Sequence, residues 1–258
     1  MVKQQSLEVR VLLDNQRNQF DLLCSAAALA RKMKVRLQGL FIEEENLLRA
    51  ADLSLSREIS LWSAQERHIN GESIQRMLRA NARYKQKELE KVAREGKVEY
   101  TFEVIRGERT RWIRESVNTS GVLFIGGKNQ ALKRYQHLKY CSWDKAPLQI
   151  IYSGSPASER ALKTAVQIAE LNKRPLLVLT TAEVSDEIFL RKQISLLLKK
   201  RHVTTVTIEK NTNGDVYNAL RKQPIHMLIL PSDIEWTHDP EQLESLLRQA
   251  HCPVILVR

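Results

Sequence analysis

Short apolar runs alternate with longer amphipathic stretches along the chain. In the C-terminal half the runs at 148–152, 176–179, 227–230 and 253–257 are almost continuously apolar, and 203–208 alternates β-branched residues. Each predicts a strand. Between the first two lies a stretch with Ala161, Leu162, Ala165, Val166, Ile168 and Ala169 on one helical face. Ser155 is placed to cap that helix and Pro156 to open it, where a missing N–H costs nothing. Pro175 ends the pattern. Further helices are predicted over 187–200, 215–221 and 241–249. Nearly continuous apolar strands separated by helices predict a parallel sheet covered on both faces.

The N-terminal half repeats the order. Strands are predicted at 9–13, 35–42, 100–105 and 122–125. A helix over 18–33 is expected to bury Phe20, Leu23, Cys24, Ala27 and Ala30, and another spans 109–117. This half has no apolar run that would serve as a fifth strand. It carries instead a long, strongly helical excess at 46–97, containing Trp62 and divided at Gly71. The chain therefore reads as two α/β domains in tandem, 1–145 with its insertion and 146–258, each an open parallel sheet with helices on both faces. The length of 258 residues fits two domains. The apolar fifth strand of the second domain is expected to lie at an open edge, available for pairing.

The C-terminal half carries two motifs in order. Tyr152-Ser153-Gly154-Ser155-Pro156-Ala157-Ser158-Glu159-Arg160-Ala161-Leu162 resembles the first strand and helix entry of universal stress proteins, an Asp-Gly-Ser followed by Ser-x-x-Ala-Leu. Leu247-Arg248-Gln249-Ala250-His251-Cys252-Pro253-Val254-Ile255-Leu256-Val257 resembles that family's closing helix and Cys-Pro-Val strand. In the first half the resemblance rests on the repeated order, on Asp14 after strand one and on Arg106-Gly107-Glu108 after strand three. It implies a five-stranded sheet with its switch point between strands one and four, where ligands bind at the carboxyl ends.

Nucleotide-binding members carry Gly-x-x-Gly and then Gly-Ser or Gly-Thr after strand four, so that backbone N–H groups can cradle phosphates. Both halves depart from this. The second reads Leu230-Pro231-Ser232-Asp233-Ile234-Glu235-Trp236-Thr237-His238-Asp239, with no glycine, three acidic groups and a proline that lacks a donor. The first has Gly126-Gly127-Lys128-Asn129 but no later Gly-Ser. Its candidate ligand residues are Asp14, Ile42, Gly126, Gly127, Lys128 and Asn129. Asp14 would accept from an adenine amino group, as the resemblance implies, or simply close a turn with Asn15. Gly126-Gly127-Lys128 would bind an anion or form a tight turn. No cofactor is expected, with an adenine nucleotide in the first domain as the alternative.

The net charge of +11 and pI near 9.7 allow polyanionic partners. Two basic segments carry much of the charge. Arg76, Arg79, Arg83, Lys87 and Lys91 belong to a predicted helical arm, with Glu88, Glu90 and Glu95 interleaved as in ordinary helix pairing. Lys133, Arg134 and Lys139 lie among Tyr135, Tyr140 and Trp143, a mixture compatible with single-stranded nucleic acid or with a linker. Protein partners, including a second copy of the chain, are expected ahead of nucleic acid.

Catalysis has no candidate. His137 and Cys141 share helical spacing but lack a group to orient the base. There is no His-Glu-x-x-His, Walker loop or nucleophile elbow. Three scattered cysteines, Cys24, Cys141 and Cys252, make neither a disulfide framework nor a metal site. With no apolar run long enough to span a membrane and no apolar leader behind Met1, the expected location is the cytoplasm. The expectation is a non-enzymatic regulatory or adaptor protein acting through protein contacts.

Overall fold

The computed structural model describes residues 8–15, 19–51, 57–59, 66–68, 71–126, 146–181, 203–208, 225–250 and 252–258. The first half contributes strands β1 (Glu8–Leu13), β2 (Arg36–Glu44), β5 (Tyr100–Gly107) and β6 (Val122–Ile125) to a large sheet. The second contributes β7 (Leu148–Tyr152), β8 (Leu176–Thr181), β9 (Val203–Ile208), β10 (Met227–Pro231) and β11 (Val254–Val257). All nine join one sheet in the order β5-β2-β1-β6-β11-β10-β7-β8-β9. Within each half the pairs are parallel. The halves meet where β11 runs antiparallel to β6, with Val254 opposite Ile125 and Val257 opposite Val122.

This join corrects the expectation of an open edge. β11 lies between β10 and β6, occupying the place beside β6 where a fifth strand of the first half would stand. Both strands are buried at every position, so apolar faces and ladder groups are satisfied together. Arg258 extends the join by donating its N–H to the Gly121 carbonyl at 3.1 Å.

Helices cover both faces. On one lie α1 (Phe20–Met33), α3 (Gly71–Gly96) and α5 (Pro156–Leu171); on the other lie α4 (Arg109–Thr119) and α7 (Pro240–Gln249). The helix entry at Ser155 forms as expected. Its hydroxyl accepts from the Ser158 N–H at 3.0 Å, and Pro156 opens α5. Predicted helices at 187–200 and 215–221 lie outside the described residues.

The insertion is not helical throughout. After α2 (Glu45–Ala51), β3 (Arg57–Ile59) and β4 (Glu66–His68) form an antiparallel pair, held in part by an Arg57–Glu66 ion pair at 2.6 Å. The sequence around β3, Leu53-Ser54-Leu55-Ser56-Arg57-Glu58-Ile59-Ser60-Leu61, alternates at period two, the mark of a strand. Gly71 begins α3 rather than dividing a helix, and Trp62 lies outside the described residues. α3 packs on its own sheet. A Cβ on Gly39 of β2 would stand 2.7 Å from Leu89 Cδ2, so the glycine lets the helix close in.

α1 also differs from expectation. Its buried residues are Leu22, Leu23, Ser25, Ala26, Ala27, Leu29 and Ala30, while Phe20 and Cys24 are exposed. The sheet, α3 and α5 all touch α1, so the covered arc is set by three neighbours and not by the most apolar face. Phe20 instead lies against Lys91, whose Nζ is 5.8 Å from the ring centroid.

Phe124 is fully buried in β6 beside Ile255 of β11. Phe124→Ala is expected to cost about 3–5 kcal/mol, read as a lowered urea midpoint.

Candidate functional site

In the first half the chain proceeds from β1 to β2 and β5 on one side and returns to β6 on the other. The carboxyl ends of β1 and β6 therefore flank the switch point, with Leu12 paired to Ile125 and the first residues past the two strands, Asp14 and Gly126, beside the crevice. The second half has the same arrangement between β7 and β10. Because the halves join antiparallel, their crevices open at opposite ends of the sheet.

The first crevice is filled by the protein's own side chains. Gln19, just before α1, is 2% exposed and folds back over the end of β1. Its Nε2 donates to Asp14 Oδ1 at 3.1 Å, and its Oε1 accepts from the Asp14 N–H at 3.4 Å. Arg109, the first residue of α4, reaches in from the other side. Its Nη2 lies 3.8 Å from Asp14 Oδ2 and donates to the Gly126 carbonyl at 3.3 Å. Gly126 is needed for this packing, since a Cβ there would stand 2.7 Å from Gln19 Nε2. A buried Asp14 thus has a cation and an amide on it.

Of the predicted ligand residues, the structure brings Asp14 and Gly126 together. Ile42 is 1% exposed in β2 opposite Ile105, within the core. Gly127, Lys128 and Asn129 lie outside the described residues, as do Lys133, Arg134 and Lys139. Gln19 and Arg109 were not singled out from the sequence. Arg109 directly follows Arg106-Gly107-Glu108, but nothing local says that it turns inward.

The loop after β10 satisfies itself. Pro231 ends the strand, and the Ser232 N–H donates to the Val257 carbonyl at 2.8 Å. Thr237, in the single turn α6 (Glu235–His238), donates its hydroxyl to the Ile234 carbonyl at 2.7 Å. Asp239 caps α7 by accepting from the Glu241 N–H at 2.9 Å and the Gln242 N–H at 3.3 Å. Hydrogen bonds from Gln242 hold its carboxyl below the ordinary value. At the other strand end, Ser153 donates to Ser155 Oγ at 3.1 Å and Gly154 adopts φ 79°.

The cysteines are set apart. Cys252 is buried, and desolvation pushes its thiol up to about 12. Cys24 is exposed beside an open groove of about 470 Å³ with Ala27, Ala28, Val92 and Leu171; partial burial, then Asp21, raises its thiol pKa. Among the described residues no group of His, Cys, Asp and Glu could hold a metal ion, and no helix is long and apolar enough to cross a membrane.

The candidate basic residues of the insertion, Arg76, Arg79, Arg83, Lys87 and Lys91, are all exposed on α3. Its packed face carries Leu78, Ala82, Lys85, Leu89, Val92 and Ala93, with buried Lys85 paired to Glu88 at 3.1 Å.

No family model matches the chain, and no curated protein matches it. Solved structures do. A universal stress protein from Archaeoglobus fulgidus DSM 4304 superposes with a TM-score of 0.53 at 13% identity, covering 98% of this chain and 99% of that one. A Pseudomonas aeruginosa UCBPP-PA14 protein provisionally assigned to the same family gives 0.50 at 10% identity, covering 98% and 93%. At such identities the likeness is one of fold.

Two variants test the filled crevice. Gly126→Ala is expected to cost about 1–3 kcal/mol by overpacking against Gln19. In a Gln19→Ser background the same change is expected to cost clearly less, a coupling read from a double-mutant cycle of urea midpoints.

His226, at the entry to β10, donates its backbone N–H to the Pro147 carbonyl at 2.9 Å. Burial first, then Arg174, hold its imidazole below the ordinary value, against a smaller upward pull from Asp21. The unfolded chain therefore takes up this proton at higher pH than the folded one. The stabilisation is present above about pH 6.5 and lost as pH falls through the folded value. His226→Gln is expected to flatten the acid-side fall in unfolding free energy.

Proposed function

We propose that this chain, universal-stress-protein-like in fold, is a regulatory adaptor that works through protein contacts without holding an adenine nucleotide in its first half. The observation that carries this reading is the filled crevice. An adenine approaching Asp14 would have to displace Gln19 from its two hydrogen bonds and Arg109 from both Asp14 and the Gly126 carbonyl. Leaving a buried carboxylate without its cation would add a cost of several kcal/mol. In the second half, acidic groups and Pro231 stand where the phosphate loop of nucleotide-binding members would be, and the Ser232 N–H is already used.

No reaction follows from the described side chains. Among the described residues neither crevice presents a nucleophile beside an oriented base, and the chain is proposed to be non-enzymatic. The inserted segment between β2 and β5 is the element that the other half does not repeat. It is the natural contact element for a protein partner, and β5 on its sheet is an edge strand.

Purified protein, denatured and examined by mass spectrometry, is expected to release no stoichiometric small molecule, and calorimetry is expected to show no heat with ATP. An adenine nucleotide at one equivalent would overturn the reading and make the first half a sensor.

A further inference from the structure

α3 has two faces. The residues it buries against the sheet lie on one side, and Arg76, Arg79, Arg83, Lys87 and Lys91 recur at spacings of three and four on the other. At 3.6 residues per turn those five fall within about a third of the circumference, along about 22 Å of helix. All five are exposed, and none makes an ion pair among the described residues. Two acidic groups share this arc, Glu72 one turn before Arg76 and Glu90 between Lys87 and Lys91. Glu88 turns to buried Lys85 at 3.1 Å, and Glu90 to Arg94 at 2.5 Å, beyond the last of the five.

The composition of the stripe decides its partner. Protein interfaces are built around a desolvated apolar centre and are poor in lysine. Here the only residue of low polarity within the cationic arc is Ala80, and the large apolar side chains of α3 are packed on the sheet. Exposed Met77 and Tyr84 lie along one margin only. A helix lying on a lipid surface would need its apolar face free, and this one is taken. A rigid row of mostly arginine cations with an aromatic ring at its margin matches the phosphates of a nucleic acid, whose protein interfaces are polar and strongly positive.

The geometry points to the outer face of α3 as a nucleic-acid-binding surface that engages the phosphate backbone without reading sequence. Arg76, Arg79, Arg83, Lys87 and Lys91 each neutralise one phosphate, and Tyr84 offers a stacking face where the strand is single. This inference uses neither crevice, and it assigns the outer face of α3 to nucleic acid, which leaves α2, the β3–β4 pair and the β5 edge as the protein-contact elements of the adaptor reading.

The test is fluorescence anisotropy of the full chain with a labelled DNA duplex and, separately, a single-stranded RNA, from about 50 to about 200 mM salt. Five phosphate contacts predict a log–log salt slope of about −4 to −5 on the duplex, an affinity loss of about 500-fold over that range, and a shallower slope on the single strand. Arg79→Gln/Arg83→Gln/Lys87→Gln is expected to flatten the duplex slope by about 2–3, whereas the charge-matched control Arg36→Gln/Arg114→Gln/Lys163→Gln leaves it within one unit. All six positions are exposed, and equal thermal unfolding of the two variants shows that charge and not folding is being read. Stronger binding to the single strand would place Tyr84 in contact, and Tyr84→Ala would then weaken that arm alone. No binding to either probe at low salt would overturn the inference. So would equal losses in the two triple variants, or binding confined to phosphatidylserine vesicles.

Discussion

The antiparallel pairing of β11 with β6 is the constraint on which the molecule depends. Four strands from the first half would end in a buried, fully apolar strand with one unsatisfied ladder. The last strand of the second half supplies that ladder. One continuous sheet results, and the faces on either side of the join are knitted by helices. α1 meets α5 through a Lys32–Glu170 ion pair, and α4 meets α7. Removing an edge in this way also removes a template for uncontrolled pairing. The antiparallel sense carries a consequence for function: the two crevices face opposite ends and cannot form one shared pocket.

The two crevices differ in what lines them. In the first half, a long amide and a guanidinium converge on Asp14 and on the backbone at Gly126. In the second, the Ser232 N–H, the Thr237 hydroxyl and the Asp239 carboxylate after β10 all have partners within the protein. The Gln19 amide, the Asp14 carboxylate and the Gly126 carbonyl thereby find partners inside the protein, as burial demands, whereas buried Arg109 Nε has none among the described residues. The row of cations without an ion pair among the described residues lies elsewhere, on the outer face of α3, whose inner face is held close to β2 by Gly39.

The elements themselves were legible because their signals are local. The apolar runs from Leu148 and Val254 and the Ser155-Pro156 helix entry act over a few residues, so pattern and propensity agree. The period-two alternation around Ile59 was equally local, yet it was masked by the helical stretches on either side of it. The stripe on α3 was readable as a basic arm, but not as a row free of ion pairs among the described residues, since that depends on where Glu88 and Glu90 turn.

Strand and helix order, the twofold repeat of that order and the absence of a glycine-rich phosphate loop can all be read along the chain. Each of these is a property of neighbouring residues. Only the tertiary structure decided that β11 completes the first half's sheet, that Gln19 and Arg109 occupy the crevice above Asp14, and that Phe20 and Cys24 stay exposed. Those outcomes depend on groups as far apart as Asp14 and Arg109, or Val122 and Val257. Their meeting is fixed by packing and by the demand that buried polar groups find partners, neither of which has a period along the chain.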